Sequence, residues 1–260
     1  MENTVSKNGI SGYTLKMIAV ITMLIDHVGA TIVERYLLTN GMLYGAPLVI
    51  YYVMRGIGRM AFPIYCYFIV QGFTYTRSRA KYALRLLVFA FASELPFDMA
   101  LWNSTWDMNH NNVFWTLLLG LLTIWALDVF GNKLVFLDKS KSSFRWFAVI
   151  LFRCIVMTSI VLASMFIAQY IINSDYGASG VATIVAMYLL KNYKLTGYGV
   201  AVVILGLLTT PLEWLALLVL IPLKFYNGTR GKQPKYFFYL FYPVHLLVLW
   251  LICHMMGLGM

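Results

Sequence analysis

Apolar residues run through this chain in long blocks, and polar residues collect in the short intervals between them. Nine blocks reach or approach the roughly 20 apolar residues a helix needs to cross a hydrocarbon core: 12–32, 56–76, 82–101, 112–130, 145–171, 178–191, 197–209, 211–224 and 235–257. Two of them, 178–191 and 197–209, are short enough to be half-helices, and 197–224 could also be a single broken span. The blocks predict an all-α, polytopic integral membrane bundle of about nine transmembrane helices, in one domain over 1–260, with too little chain between them for a soluble domain.

Composition agrees. The chain is 61% apolar and 12% charged, with mean hydropathy +0.75, whereas soluble domains carry about a quarter charged residues. Residues 1–11 (MENTVSKNGIS) are polar and no small-residue cleavage site follows the first apolar run, so that run is expected to stay as a span. Cys66, Cys154 and Cys253 fall inside apolar runs at spacings that fit no metal site; buried free thiols and no metal are expected.

The net charge of +10 changes the picture through its placement. Basic residues gather in alternate connections: Arg77, Arg79, Lys81 and Arg85, then Lys133, Lys139, Lys141 and Arg145, then Lys191 and Lys194, then Lys224, Arg230, Lys232 and Lys235. The connections 102–111, 172–177 and 209–213 hold no Lys or Arg. The positive-inside rule then puts the N-terminus and the basic loops in the cytoplasm, and no nucleic-acid partner is needed to explain the charge.

This topology gives each intramembrane charge a depth. Lys16 sits near the inner boundary and His27 lies eleven residues on, roughly 16 Å further out and on the same helix face. Asp26 points about 100° away from His27, so a carboxylate partner for the imidazole has to come from another helix. Glu94 and Asp98 in SELPFD, His110, Asn111 and Asn112 in NHNNVFWT, Arg55 and Arg59 in RGIGRMAFP, Asp175 and Glu213 all map to the outer half. Pro96 predicts a kink or a helix end between the two acids of SELPFD. Ionisable groups facing lipid cost about 2.5–3.5 kcal/mol each, so they are expected to face one another or a watery cavity. Arg59 paired with Glu94 or Asp98 is one such arrangement. At the inner side Asn227, Gly228, Arg230, Gly231, Lys232 and Lys235 form a basic, glycine-containing turn suited to a phosphate, followed by Tyr239, Pro243 and His245 in the last block.

At these residues the sequence resembles the TraX family, whose named member is a conjugative-pilin N-acetylase. The resemblance runs through LIDHVGA, RGIGRMAFPIYCYFIVQGF, SELPFD, NNVFWTLLLG, DYGASGV and YNGTRGKQPKYFFYLFYPVHLLVL, in that order. The family is similar in turn to the family-3 membrane acyltransferases, which carry Arg, ten residues, then His in the first helix. Here Lys16 stands at the Arg position, and Lys does not replace Arg as a bidentate partner.

The resemblance implies a multi-pass enzyme of the bacterial cytoplasmic membrane, with acetyl-CoA or another acyl-CoA as cytoplasmic co-substrate and no metal. The acceptor would be a peptide amine or a surface glycan, met among the membrane lipids. His27, Asp26, Glu94, Asp98, Arg59, Asn111 and Asn112 would be catalytic, with His27 as general base or covalent acyl carrier and Glu94 or Asp98 holding it. Arg59, Asn111 or Asn112 would stabilise the oxyanion. Lys16, Asn227, Gly228, Arg230, Gly231, Lys232, Lys235, Tyr239 and His245 would hold the donor. A small-solute transporter or channel is the rival, although no inverted repeat accompanies the Asp-His helix; a non-catalytic membrane scaffold is the other.

Overall fold

The structure is a computed structural model that describes residues 9–42, 44–135, 143–232, 234 and 236–258. All regular elements among these residues are helical. The first helix, α1 (Gly12–Val28), passes through a π-helical turn at Gly29–Val33 into α2 (Glu34–Thr39). Then α3 (Ala46–Gly58) and α4 (Ala61–Tyr75) return beside it. The chain continues through α5 (Arg79–Phe97), α6 (Val113–Val135), α7 (Ser143–Phe166), α8 (Gly177–Leu189) and α9 (Lys194–Leu208). A 3-10 helix (Pro211–Val219) runs into α10 (Leu220–Lys224), and α11 (Phe237–Met255) is last.

Among the described residues five helical segments are long and apolar enough to cross a membrane: Gly12–Thr39, Ala46–Tyr75, Val113–Gly131, Trp146–Ile171 and Phe237–Met255. The chain is therefore a helical membrane protein. The block at 56–76 starts too late, because the helical rod begins at Ala46, where Pro47 occupies a first-turn position that suits its missing N–H. Only a short break at Arg59 and Met60 divides that rod. Nor is 197–224 one broken span. Tyr198 Oη donates to Ala216 O and Trp214 Nε1 to Val203 O, both at 3.3 Å, so α9 and the 3-10 helix lie antiparallel.

Connections among the described residues gather at two ends of the bundle. At the basic end Ile10 and Tyr13 bond Phe225 and Arg230 through the backbone, and Lys194 Nζ donates to Tyr226 O at 3.2 Å. At the opposite end Asn111 pairs with Ser174, Trp102 stacks on His110, and Arg35 Nη2 donates to Ala100 O at 2.7 Å. Three π-helical turns, Gly29–Val33, Asp98–Trp102 and Ile167–Ile171, all sit at that second end. Helix α5 continues through Pro96 to Phe97 rather than ending at Leu95, then loosens into its π turn and stops at Asn103, whose φ is 52°.

The rods differ in length. At 1.5 Å per residue, the 28 residues of Gly12–Thr39 reach about 42 Å, while the 13 of α8 reach about 20 Å. The start of α8 meets the α3–α4 rod part-way along, where Tyr176 stacks on Phe62, and the start of the 3-10 helix meets it at Arg59 through Glu213. Cys66 and Cys253 are buried as expected. Cys154 is exposed instead, on the peripheral α7, whose apolar side chains have no described helix over their outer face.

Candidate functional site

His27 ends the first apolar stretch of α1, two residues before the π-helical turn, a local widening that often marks functional positions. Its Nδ1 lies 2.6 Å from Nε2 of His245, and the two rings are near-parallel with centroids 4.9 Å apart. His245 Nδ1 is 2.7 Å from the carbonyl of Phe241, one helical turn earlier in α11. A carbonyl only accepts, so His245 carries its proton on Nδ1 and presents a lone pair at Nε2. His27 must then donate from Nδ1, which leaves its own Nε2 as an open acceptor. That chain fixes a tautomer without any carboxylate.

The imidazole pair therefore replaces the carboxylate partner expected from sequence. Glu94 is occupied elsewhere: its Oε1 accepts from Trp115 Nε1 at 2.6 Å, from Asn112 N at 3.2 Å and from Asn112 Nδ2. Asn112 also accepts from Phe114 N at 3.0 Å, which starts α6, and donates to Ala90 O at 2.7 Å. Asp98 Oδ2 accepts from Asp107 N at 2.7 Å. Asn111 Nδ2 donates to Met108 O at 3.1 Å and to Ile172 O. These four residues clasp α5, α6 and α7 together at the end of the bundle opposite the basic one, and none of them lines the cavity described below.

Nor does Arg59 pair with Glu94 or Asp98. It bonds Asp26 Oδ1 at 2.9 Å and Glu213 Oε1 at 3.0 Å, while Arg55 takes Asp26 Oδ2 at 2.8 Å. A side chain at Gly58 would overlap Asp26, and this close approach of α3 to α1 brings both guanidiniums onto one carboxylate. Two arginines and two acids balance within a buried site, as burial of charge requires.

One cavity of about 1220 Å³ joins these parts, and it exceeds the usual few hundred to 1,000 Å³ of small-molecule sites. Its basic end is walled by Lys16, Arg85 and Arg230 with Tyr226 and Phe238, and no carboxylate among the described residues lines that end. Lys16 Nζ sits 4.8 Å from the centre of the Phe68 ring and 5.3 Å from that of Phe238. The middle holds His27, Asp26, Arg55, Arg59 and Asp175; the far end opens among Glu34, Arg35, Tyr51, Trp102 and Asn103.

Of the residues expected to hold a donor, Lys16, Gly228, Arg230 and Tyr239 line the cavity, whereas Lys232 is exposed outside it and Lys235 lies outside the described residues. Asn227 builds the turn instead, accepting from Thr229 N at 3.0 Å and Thr229 Oγ1 at 2.7 Å. Gly228 and Gly231 take positive φ of 78° and 70°, and a Cβ at Gly231 would meet Ser11 and Tyr13. Gly231 therefore serves the packing of this loop on the start of α1, where Thr229 O and Arg230 O take the N–H groups of Gly12 and Tyr13. His245 belongs with His27 and not with the basic turn. No group of three or more His, Cys, Asp or Glu side chains that could hold a metal forms among the described residues.

Fold and site thus define a helical membrane protein with a tautomer-fixed imidazole in a cavity that is basic at one end and mixed in charge at the other. A family model described as TraX protein matches residues 11–253, and the chain belongs to that family. It is 29% identical over 258 residues to "Probable fimbrial assembly protein FimC, serogroup H1" of Dichelobacter nodosus, across 92% of this chain and 94% of that protein. No solved structure matches.

Proposed function

We propose that the chain is a membrane-embedded acyltransferase that moves an acyl group, acetyl in the first instance, from cytoplasmic acyl-CoA to an acceptor amine or hydroxyl at the outer face. The observation that carries this reading is the open Nε2 of His27, set in a cavity lined at one end by Lys16, Arg85 and Arg230, with no carboxylate there among the described residues, and at the other by Glu34, Arg35 and Trp102. In this reading nine helical segments cross the cytoplasmic membrane of a bacterium, with the N-terminus and the basic connections inside. The fimbrial-assembly relative favours a pilin-like surface protein as acceptor, through a peptide amine.

Donor phosphates rest near Lys16, Arg85 and Arg230, and the aromatic side chains beside them offer a face to the base. The thioester then lies along the cavity toward His27. His27 Nε2 removes a proton from the acceptor as it attacks, while the donated Nδ1–H to His245 spreads the charge that the ring gains. Arg55 faces the cavity with the part of its guanidinium not engaged by Asp26, so it is the best placed donor for the oxyanion that forms on the thioester. Arg59, bonded on both terminal nitrogens, holds the geometry.

Calorimetry of acetyl-CoA with the purified protein tests the reading: saturable binding that weakens in Arg230→Ala and Lys16→Ala supports it. No binding of acetyl-CoA or longer acyl-CoAs would shift the assignment to transport. Pre-steady-state release of CoA distinguishes direct transfer from an acyl-His27 relay, which alone gives a burst.

A further inference from the structure

Besides Asp26 and Glu34, the carboxylate of Asp175 meets the same cavity, and it has no part in the ion-pair network. Asp175 sits in the short connection between the π turn after α7 and the start of α8. Its neighbours are fixed on both sides. Asp175 N donates to Asn111 O at 2.8 Å, Ser174 Oγ accepts from Thr116 Oγ1 at 2.9 Å, and the Tyr176 ring stacks on Phe62 with centroids 3.6 Å apart and planes 4° apart. The side chain between them faces the cavity, and no described residue donates a hydrogen bond to its carboxylate. The side chain is exposed, as a group reached through the cavity would be. Burial pushes its carboxyl up to about 6, against the pull of Arg59.

An acid here is informative because the two acceptor classes differ in their protons. A hydroxyl gives up one proton on acylation, and His27 alone can carry that from the oxygen to the departing thiolate. An amine arrives as an ammonium ion and sheds two: one before it has a lone pair to attack with, one as the amide forms.

Building on the acyltransferase reading, we propose that Asp175 seats the acceptor as its ammonium ion and takes the first of those two protons. In this step an N–H bond of R–NH3+ breaks and an O–H bond forms on Asp175. The freed amine attacks the thioester carbon, making C–N; His27 Nε2 takes the second proton and passes it to sulfur as C–S breaks. The products are R–NH–CO–R′ and HS–CoA, and the proton on Asp175 leaves to water at the outer mouth. Asp175 is thus the group that selects amines over hydroxyls.

The test uses the detergent-purified full chain, a tripeptide amide with a free α-amine, and the same peptide N-acetylated. The free amine raises the melting temperature of wild type and not of Asp175→Asn, and the acetylated peptide raises neither. With radiolabelled acetyl-CoA, Asp175→Asn lowers kcat/KM for the free peptide about 30-fold at pH 6.5. The gap closes toward pH 9, where the amine is its own free base; the KM for acetyl-CoA stays unchanged, and Asp175→Glu recovers most of the rate. A loss equal at every pH, or equal stabilisation by both peptides, would overturn the proposal. Amine-specific stabilisation that needs Asp175, in a protein that consumes no acetyl-CoA, would keep the seat and sink the acyltransferase reading instead.

Discussion

The clasp at Glu94 and the centre at His27 are both polar clusters inside an apolar bundle, and they differ in what is left over. At the clasp three donors from Asn112 and Trp115 converge on one oxygen of Glu94, and Asn112 spends its remaining groups on backbone. At the centre Asp26 is equally satisfied by two arginines, but His27 keeps one ring nitrogen unbonded and turned to a cavity. Intramembrane polarity alone therefore does not mark a reactive group. An unused acceptor that faces space for a substrate is what the proposed transfer requires in addition.

His27→Ala is the sharpest way to break the contrast. It should cost about 10²–10⁴ in turnover, the usual range for a lost general base, while the melting temperature stays near wild type. If the variant failed to fold instead, the centre would be interhelical glue like the clasp. Asp26→Ala comes next and should act on stability. It leaves Arg55 and Arg59 facing each other without their shared carboxylate, a loss of about 3–5 kcal/mol for a broken buried pair. Glu94→Ala should cost less, about 1–3 kcal/mol for donors left unpaired, with turnover per folded molecule unchanged. Thermal unfolding in detergent beside acetyl transfer separates the two kinds of effect. His245→Phe removes the acceptor for His27 Nδ1 and should lower turnover about 10-fold, with His245→Gln, which keeps an acceptor, closer to wild type.

The helical segments were legible because spans are written in long apolar runs, and alternate Lys and Arg clusters marked which connections share an end. The start of the second rod was missed: APLVIYYVMR is short and carries Pro47, two tyrosines and Arg55, so it reads as an interfacial loop. That Asp26, Arg59, Glu213 and Asp175 lie at one level of the bundle was readable from the order of the apolar blocks, but their pairings were not. Arg59 finds Glu213 across 154 residues of chain, and His27 finds His245 across 218. Periodicity within one helix gives a side chain's face, and only packing between helices gives its partner. One signal for the second imidazole was present: His245 lies two residues after Pro243 in a run otherwise built for packing.

The smallest effect belongs to Asp107, at the solvent edge of the clasp. Its carboxylate accepts from Asn109 N and Asn109 Nδ2, both at 2.9 Å, and lies 3.1 Å from His110 Nδ1. The Asn109 N–H first, then the His110 ring, hold its pKa below the ordinary 3.8. A carboxyl with a depressed folded pKa adds stability that is fully present above its unfolded value and is lost as pH falls through the folded one. Wild type should therefore melt slightly above Asp107→Asn from neutral pH down to about 5, and the two curves should converge below about 4. Acetyl transfer should not change at any pH where both are folded, because Asp107 has no place in the cavity wall and its backbone N–H to Asp98 survives the substitution. A pH-dependent loss of transfer in this variant would mean that the clasp and the imidazole centre act together, and would remove the distinction between a satisfied lock and an open site.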